Sequence, residues 1–322
     1  MSKTIINSAV MTTYNGERFI REQLDSLMAQ ALLPDEVVVA DDCSTDGSLS
    51  LVREFAAAHP EAEWIVYRNE SNLGWEHNFK EAISRARGEY VFLCDQDDVW
   101  EPGHIADLRD AMDSHPEVDV MTSHAEPFFE EGAFKSSALE TGGGESGAVA
   151  RVPADRSYLI VGAPGCTYCV RKSFIGSLMP FWPDDFPHDS ILYSCACLKG
   201  SLAHLDETTL RFRRHSGNAS DQRAKGRGDA LDLMRYYLRK NNVMRTWLMS
   251  FGEEERLDFD FDGAVALLDN NDEFTRLRIE ALERPTPVSL MRLVSRAGMY
   301  PTRRSMLGDF ACALFPNKEW KR

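Results

Sequence analysis

The sequence predicts an α/β fold: a mostly parallel sheet flanked by helices, followed by a helical C-terminal appendage. Three observations carry this. Short apolar, β-branched runs alternate with helical periodicities through the first 125 residues. Polar clusters follow the strands rather than precede them. Residues 229–282 read as mostly helical, and Pro285 and Pro287 break that pattern before a basic tail.

The elements follow in order. Ile5 to Met11 is a short apolar strand, and Glu17 to Gln30 places Phe19, Ile20, Leu24, Leu27 and Met28 at helical spacing. Glu36 to Ala40 has the continuous apolar character of a strand buried on both faces. Leu49 to Ala58 is a second helix with Ser or Asp available as its cap. Trp64 to Tyr67 is a third strand, Trp75 to Arg87 a third helix closed by Gly88, and Tyr90 to Cys94 a fourth strand. A helix from Pro102 to Ser114 and a strand from Val118 to Met121 complete the alternation. Such βαβ units place ligands at the carboxyl ends of strands, so the polar clusters after strands one, two and four face one crevice. From Glu126 to Asp155 the pattern breaks into a polar stretch, including the Gly-rich run from Thr141 to Gly147, that reads as a mobile loop. Residues 157–215 resume with strands and a helix.

Composition bounds the function. The 322 residues hold 36 Lys+Arg against 51 Asp+Glu, a net charge of -15, which argues against a general nucleic-acid binder. The charge is uneven: Arg284 to Arg322 carries eight basic residues against two acids, or +6, leaving -21 on residues 1–283. The longest run without a charged residue, Ser157 to Val170, is fourteen residues, short of the roughly 18–20 needed for a bilayer span. The N-terminus lacks the apolar core of a signal peptide, and seven scattered cysteines fit reduced thiols, so a cytoplasmic protein is expected.

The strongest chemical signal is Asp95-Gln96-Asp97-Asp98, directly after a buried strand. Three carboxylates in four positions repel one another unless a cation compensates them, and hard divalent ions bridge carboxylates to phosphates. A metal-free helix-capping cluster is the alternative. Asp41-Asp42-Cys43-Ser44-Thr45-Asp46 after strand two is either a turn with a cap or a ligand site; a carboxylate there can accept from the N3–H of a pyrimidine base. After strand one, Tyr14 in Thr12-Thr13-Tyr14-Asn15-Gly16-Glu17 can pack on a base, while the following helix start offers donors to anions.

Taken in succession, Thr13-Tyr14-Asn15, Asp41-Asp42-x-Ser44-x-Asp46-Gly47, Asn72-Leu73-Gly74 and Asp95-Gln96-Asp97-Asp98 resemble the nucleotide-sugar domain of family 2 glycosyltransferases of GT-A fold. Within that family the chain is most similar to bacterial rhamnosyltransferases of surface-polysaccharide synthesis. The resemblance covers about residues 5–220 and implies a Rossmann-like GT-A domain over 1–220, with a nucleotide-sugar half to about 125 and an acceptor half beyond it. Residues 221–322 are then the helical C-terminal region. It implies that Thr13, Tyr14, Asn15, Glu17, Asp41, Asn72, Gly74 and Asp95 contact the donor, Asp41 at the base, and that Asp95 and Asp97 hold Mg or Mn. Pro187-His188-Asp189 resembles the family's His-Asp site, which implies that Asp189 is the general base of inverting transfer; a helix cap is the alternative for this residue. The segment Arg211-Phe212-Arg213-Arg214-His215-Ser216-Gly217-Asn218 resembles its Tyr-Arg-x-His-x-x-Asn segment, assigning Arg213 to the donor and His215 to the metal. Phe212 stands where Tyr is usual, and Ser190-Ile191 replace the common aromatic pair, a change on the acceptor side. The implied partners are a dTDP- or UDP-sugar, with L-rhamnose from dTDP-rhamnose first, and a lipid-linked saccharide acceptor.

Asp95-x-Asp97-x-Val99 also resembles the motif of a haloacid-dehalogenase phosphatase, although that family expects its first motif near the start of the domain, whereas strands and helices precede it here. A non-catalytic nucleotide or glycan binder is the third reading. Zinc at Cys166, Cys169, Cys195 and Cys197 is disfavoured by spacing. Gly162-Ala163-Pro164-Gly165 reads as a bend that lines the sugar pocket, and Trp182 as core or as a stacking platform for an acceptor sugar. In the tail, Val288, Leu290, Met291, Leu293, Val294 and Met299 interleave with Arg292, Arg296, Arg303 and Arg304. Such a segment suits an anionic membrane face, the catalytic domain or a second subunit.

Overall fold

The protein is described here by a computed structural model covering residues 5–130, 145–215, 226–300 and 302–315. Its chain divides into two compact units, Met1–Gly217 and Asn218–Arg322.

Unit one opens with β1 (Asn7–Thr13), α1 (Ile20–Met28), β2 (Glu36–Asp41), α2 (Ser48–Ala58), β3 (Glu63–Arg68), α3 (Trp75–Arg85) and β4 (Tyr90–Cys94). The strands lie in the order β3-β2-β1-β4, all parallel, with Thr13 beside Asp41 and Met11 beside Cys94. Every residue of β1, β2 and β4 is buried, as continuous apolar runs between two helical layers require. Their carboxyl ends share one edge, where Thr13, Asp41 and Asp95 emerge together.

The second half of unit one is built differently. It comprises β5 (Val99–Trp100), α4 (His104–Ser114), β6 (Val120–Phe129), β7 (Glu145–Arg151), β8 (Cys169–Arg171), α5 (Lys172–Leu178), α6 (His188–Lys199) and β9 (Leu202–Arg214). β8 is antiparallel to β4 and β6, β5 and β7 are antiparallel to β9, and β6 runs parallel to β9. The sheet is therefore mixed, and its parallel character is confined mainly to the first four strands.

The expected loop at 126–155 is corrected at both ends. β6 continues to Phe129 because Glu126–Phe129 pair with Arg211–Arg214 of the long β9, and Phe128 lies under the Arg211 and Arg213 guanidinium groups. Pro127 is tolerated there because β8 pairs only with Val120 and Met121, leaving that edge without a ladder. β7 forms despite its glycine and alanines because β9 offers a partner; pairing outweighs weak intrinsic preference. Residues 141–144 of the Gly-rich run lie outside the described residues, as do Ser216, Gly217 and Asn218.

Unit two contains α7 (Arg227–Met249), α8 (Phe261–Glu283), α9 (Pro287–Ser295) and α10 (Arg303–Leu314). Phe274, Leu277, Ala281, Leu293 and Tyr300 form one of its apolar clusters. Arg278 and Tyr300 both bond Asp309, at 2.6 and 2.8 Å, which ties α8 to α10 by a buried ion pair. Among the described residues no helix is long and apolar enough to cross a membrane.

Candidate active site

Three turns at the carboxyl edge of the parallel strands are laced together by side chains. Asn15 N–H donates to Ser44 Oγ at 3.0 Å, while Asn15 Oδ1 accepts from Thr45 N at 2.8 Å. Glu17 accepts from Gly47 N at 2.8 Å and its own N–H donates to Asp46 at 3.1 Å. Asn15 (φ 48°) and Cys43 (φ 64°) both take the left-handed backbone, one in each turn, a conformation held by these bonds. The predicted donor residues Asn15 and Glu17 thus have acceptor atoms engaged in shaping the crevice.

Gln96, the central residue of the Asp95-x-Asp97 motif, joins the third turn to the first. Its Oε1 accepts from Thr13 Oγ1 at 2.8 Å and from Tyr14 N at 3.0 Å, and its Nε2 donates to Tyr14 O at 3.2 Å. A Cβ on Gly16 would stand 2.1 Å from Gln96 Oε1, so this junction requires glycine. Tyr14 itself projects outward, 49% exposed.

Asp41 is fully buried at the end of β2, with one oxygen accepting from Ser44 N at 3.1 Å and near Arg68 at 3.7 Å. Among the described residues its Oδ1 is buried without a hydrogen-bond donor, an expensive condition that a ligand N–H would relieve. The neighbouring Asp42 is occupied otherwise: it accepts from Asn69 Nδ2, Leu73 N and Gly74 N at 2.8, 2.8 and 3.0 Å. Asn72 Nδ2 donates to the Asp42 carbonyl at 3.1 Å, which holds the Asn72-Leu73-Gly74 turn against β2.

The acidic cluster after β4 splits into two directions. Asp95 and Asp98 converge with the Cys166 thiol, their ligand atoms within 4.8 Å of one another, forming a candidate metal-coordinating cluster. Asp97 turns to His215, whose Nε2 lies 2.7 Å from Asp97 Oδ2, while the His215 ring packs on Phe19 at 4.6 Å. Burial, then the Asp97 and Asp189 carboxylates, push Asp95 well above the usual carboxylate range; burial, Asp97 and Asp95 do the same to Asp98. A divalent cation among these oxygens would offset that repulsion, so the residues fit such an ion.

Asp189 opens α6, directly after Pro187, and accepts from Ser190 N at 2.6 Å. Its influence on Asp95 brings the two carboxylates, 94 positions apart in the chain, to one site. His188 is buried beside Phe79, ring centroids 3.9 Å apart, and burial depresses its basicity to about 4, keeping the imidazole neutral. Gly165 makes room for this pair: a Cβ there would lie 2.5 Å from His188 Nε2 and 3.1 Å from Asp189 Cβ.

Arg213 is buried in a clamp. Its Nε donates to the Asp97 carbonyl at 2.7 Å, one terminal nitrogen to Glu130 at 2.7 Å, and the other to Glu22; Asp98 accepts its backbone N–H at 2.9 Å. The side chain predicted for the donor thus holds the Asp97-Asp98 backbone in place. Trp182 is 2% exposed and donates to Phe186 O at 3.1 Å, which makes it core rather than a sugar platform. Reading the sequence missed Gln96 and the glutamates at 22 and 130, and it weighed Cys166 only as a zinc ligand beside other cysteines, not beside Asp95 and Asp98. Only Gln96, inside the acidic motif, carried a local signal.

Glycosyl transferase family 2 matches residues 8–161. An uncharacterized protein of Mycobacterium tuberculosis is 32% identical over 215 residues, 65% of this chain but only 59% of its own length. A dTDP-rhamnosyl transferase of Shigella flexneri is 27% identical over 219 residues, covering 65% of this chain and 72% of that protein. The crystal structure of Staphylococcus aureus TarS residues 1–349 with UDP-GlcNAc superposes over 87% of this chain and 92% of that one, with a TM-score of 0.57 at 20% identity. Residues 8–161 thus match the family 2 glycosyltransferase model, and the fold is GT-A-like.

Proposed function

We propose that this family 2 domain belongs to an inverting, divalent-cation-dependent glycosyltransferase that moves L-rhamnose from dTDP-rhamnose onto a saccharide acceptor in cell-surface polysaccharide synthesis. The carrying observation is the convergence of Asp189 with the Asp95 cluster at the edge where β1, β2 and β4 end. The Shigella relative's name motivates the rhamnose donor.

In this reading the pyrimidine ring meets Asp41, whose orphaned oxygen accepts the N3–H, while Tyr14 packs on a base face. Thr13 and the laced turns place the diphosphate toward Asp95 and Asp97. These carboxylates, with His215 beside Asp97, would hold the cation, which when bound supplies charge neutralisation for the departing diphosphate. Asp189 accepts the proton of the acceptor hydroxyl as its oxygen bonds to the anomeric carbon. The carbon–oxygen bond to the diphosphate breaks on the opposite face, and the nucleoside diphosphate leaves with the electron pair. Arg213 acts indirectly, by fixing the Asp97 carbonyl and Asp98.

A lipid-linked acceptor at the inner membrane face fits the tail. Val288, Met291 and Val294 are each more than half exposed on α9, although Leu293 of the same helix is buried. With Arg303 and Arg304 exposed nearby in sequence, this row suits anionic lipid. The function is tested by supplying dTDP-rhamnose, UDP-sugars and acceptor with Mn2+. Transfer from dTDP-rhamnose is expected, with loss in Asp97→Ala and in Asp189→Ala; retention in both variants would overturn the site.

A further inference from the structure

Cys166 reaches the acidic cluster by strand register rather than by motif. β8 runs antiparallel to β4, with Tyr90 beside Arg171 and Phe92 beside Cys169. Leu93 N–H donates to the Tyr168 carbonyl at 3.2 Å, and the same register, continued past it, sets Cys166 opposite Asp95. The thiol thus arrives from the second half of unit one, on the turn Gly165–Thr167. Its sulfur and the oxygens of Asp95 and Asp98 all lie within 4.8 Å of one another.

This pocket holds an unmet acceptor. Asp98 is fully buried, and its Oδ1 accepts from Arg213 N at 2.9 Å, but no N–H or O–H donor among the described residues reaches its Oδ2. A buried carboxylate oxygen left in that state costs free energy, which a cation would recover. The Cys166 thiol beside it is 1% exposed, and burial, then the Asp98 and Asp95 carboxylates, hold it protonated in the absence of a cation. A bound divalent ion displaces that proton to solvent and takes the thiolate as ligand. Asp95 is only partly buried, so it gives the pocket a polar entrance. Oxygen and sulfur ligands at about 2.0–2.3 Å from a tetrahedral ion stand roughly 3.3–3.6 Å apart, so closure asks for inward side-chain movement of about 1 Å.

We propose that Cys166 is a metal-selecting ligand: with Asp95 and Asp98 it forms an oxygen–oxygen–sulfur pocket that prefers borderline divalent ions, Zn2+ and Co2+, over Mg2+. The proposal rests on the cation-binding reading of the site given above and specifies which ion the site selects. Donor sets made of oxygen alone suit Mg2+, whereas one thiolate shifts affinity toward ions that bind sulfur. Asp97 is engaged elsewhere, its Oδ2 at 2.7 Å from His215 Nε2, so the two halves of the acidic motif differ in ligand chemistry. An ion in the pocket would also tie the end of β4 to the turn before β8 and, through Asp98, to the backbone of Arg213.

The test titrates the full wild-type chain, its thiols reduced, with Co2+ alone. A near-ultraviolet sulfur-to-cobalt charge-transfer band is expected, displaced by Zn2+ but not by an equal concentration of Mg2+. Cys166→Ser puts oxygen in place of sulfur; it should abolish the band and lower the preference for Co2+ over Mg2+ about tenfold or more. A band that persists in Cys166→Ser, or one that Mg2+ displaces as readily as Zn2+, would overturn the proposal. Asp98→Asn leaves the sulfur in place and should raise the cobalt concentration needed for the same band about tenfold. An unchanged titration in that variant would overturn the proposal even were Cys166→Ser not to fold. Failure here is distinct from failure of the transfer reading: a wild-type protein that transfers sugar with Mn2+ yet shows no band refutes the sulfur ligand alone.

Discussion

The two halves of unit one build one site by opposite means. In β1–β4 the chain is parallel and repetitive, and each functional turn follows a strand within a few residues, so neighbours in the site are neighbours in sequence. In β5–β9 the pairing is mixed, and Cys166, Asp189, Arg213 and His215 reach the acidic cluster from distant segments. The first half supplies a cradle rigidified by side-chain-to-backbone bonds. The second supplies the proposed base, Asp189, and the clamp around Arg213. Donor binding should therefore fail when the first half is altered, and catalysis or folding when the second is.

The largest separation is expected at Asp189. Asp189→Asn should lower transfer by about 10²–10⁴-fold, the range for a positioned base, while nucleotide binding measured by calorimetry stays unchanged. A parallel loss of dTDP affinity would merge the two roles. Arg213→Ala comes next: it leaves Glu22, Glu130 and the Asp97 carbonyl without their buried partner, and should cost about 3–5 kcal/mol in denaturant unfolding. Wild-type stability in that variant would mean that Arg213 is reserved for the donor after all.

Gly16→Ala tests the first half. A Cβ 2.1 Å from Gln96 must break the Thr13–Gln96–Tyr14 junction, so dTDP affinity should fall about tenfold or more with the melting temperature little changed. Unaltered affinity would detach Gln96 from the cradle.

The last effect concerns pH. His104 is fully buried against Trp100, and burial depresses its folded basicity to about 3. Because the unfolded ring titrates near 6.5, protonation favours the unfolded chain. The stabilising share of the neutral ring is complete above that value and is lost as pH falls from about 6.5 toward 3. Between pH 7 and 5 the wild type should lose about 2 kcal/mol more than His104→Gln. Equal losses would show that His104 is not buried neutral.

The same contrast explains what the sequence disclosed. The β-branched runs and the polar clusters after them located β1, β2 and β4 and the residues Thr13, Asp41, Asp95 and Asp97, because parallel strands put motif and site at one edge. The strand Glu145–Arg151 was hidden by its small residues, since only β9 gives it a reason to form. The clamp around Arg213 was equally hidden: Glu22 lies on α1, 191 positions away, and nothing local marks it as a partner. Asp97 and His215 were individually visible as polar motif residues, but their 2.7 Å contact depends on β9 returning beside β5.

In the proposed site the Asp97 cluster binds the donor and Asp189 acts on the acceptor. Calorimetric titration of dTDP with and without Mn2+, beside transfer assays on the same wild-type, Asp97→Ala and Asp189→Asn proteins, tests it directly. Manganese-dependent dTDP binding is expected in wild type and Asp189→Asn, weak binding in Asp97→Ala, and transfer by wild type alone. Binding indifferent to both manganese and Asp97, or transfer surviving in both variants, would contradict it.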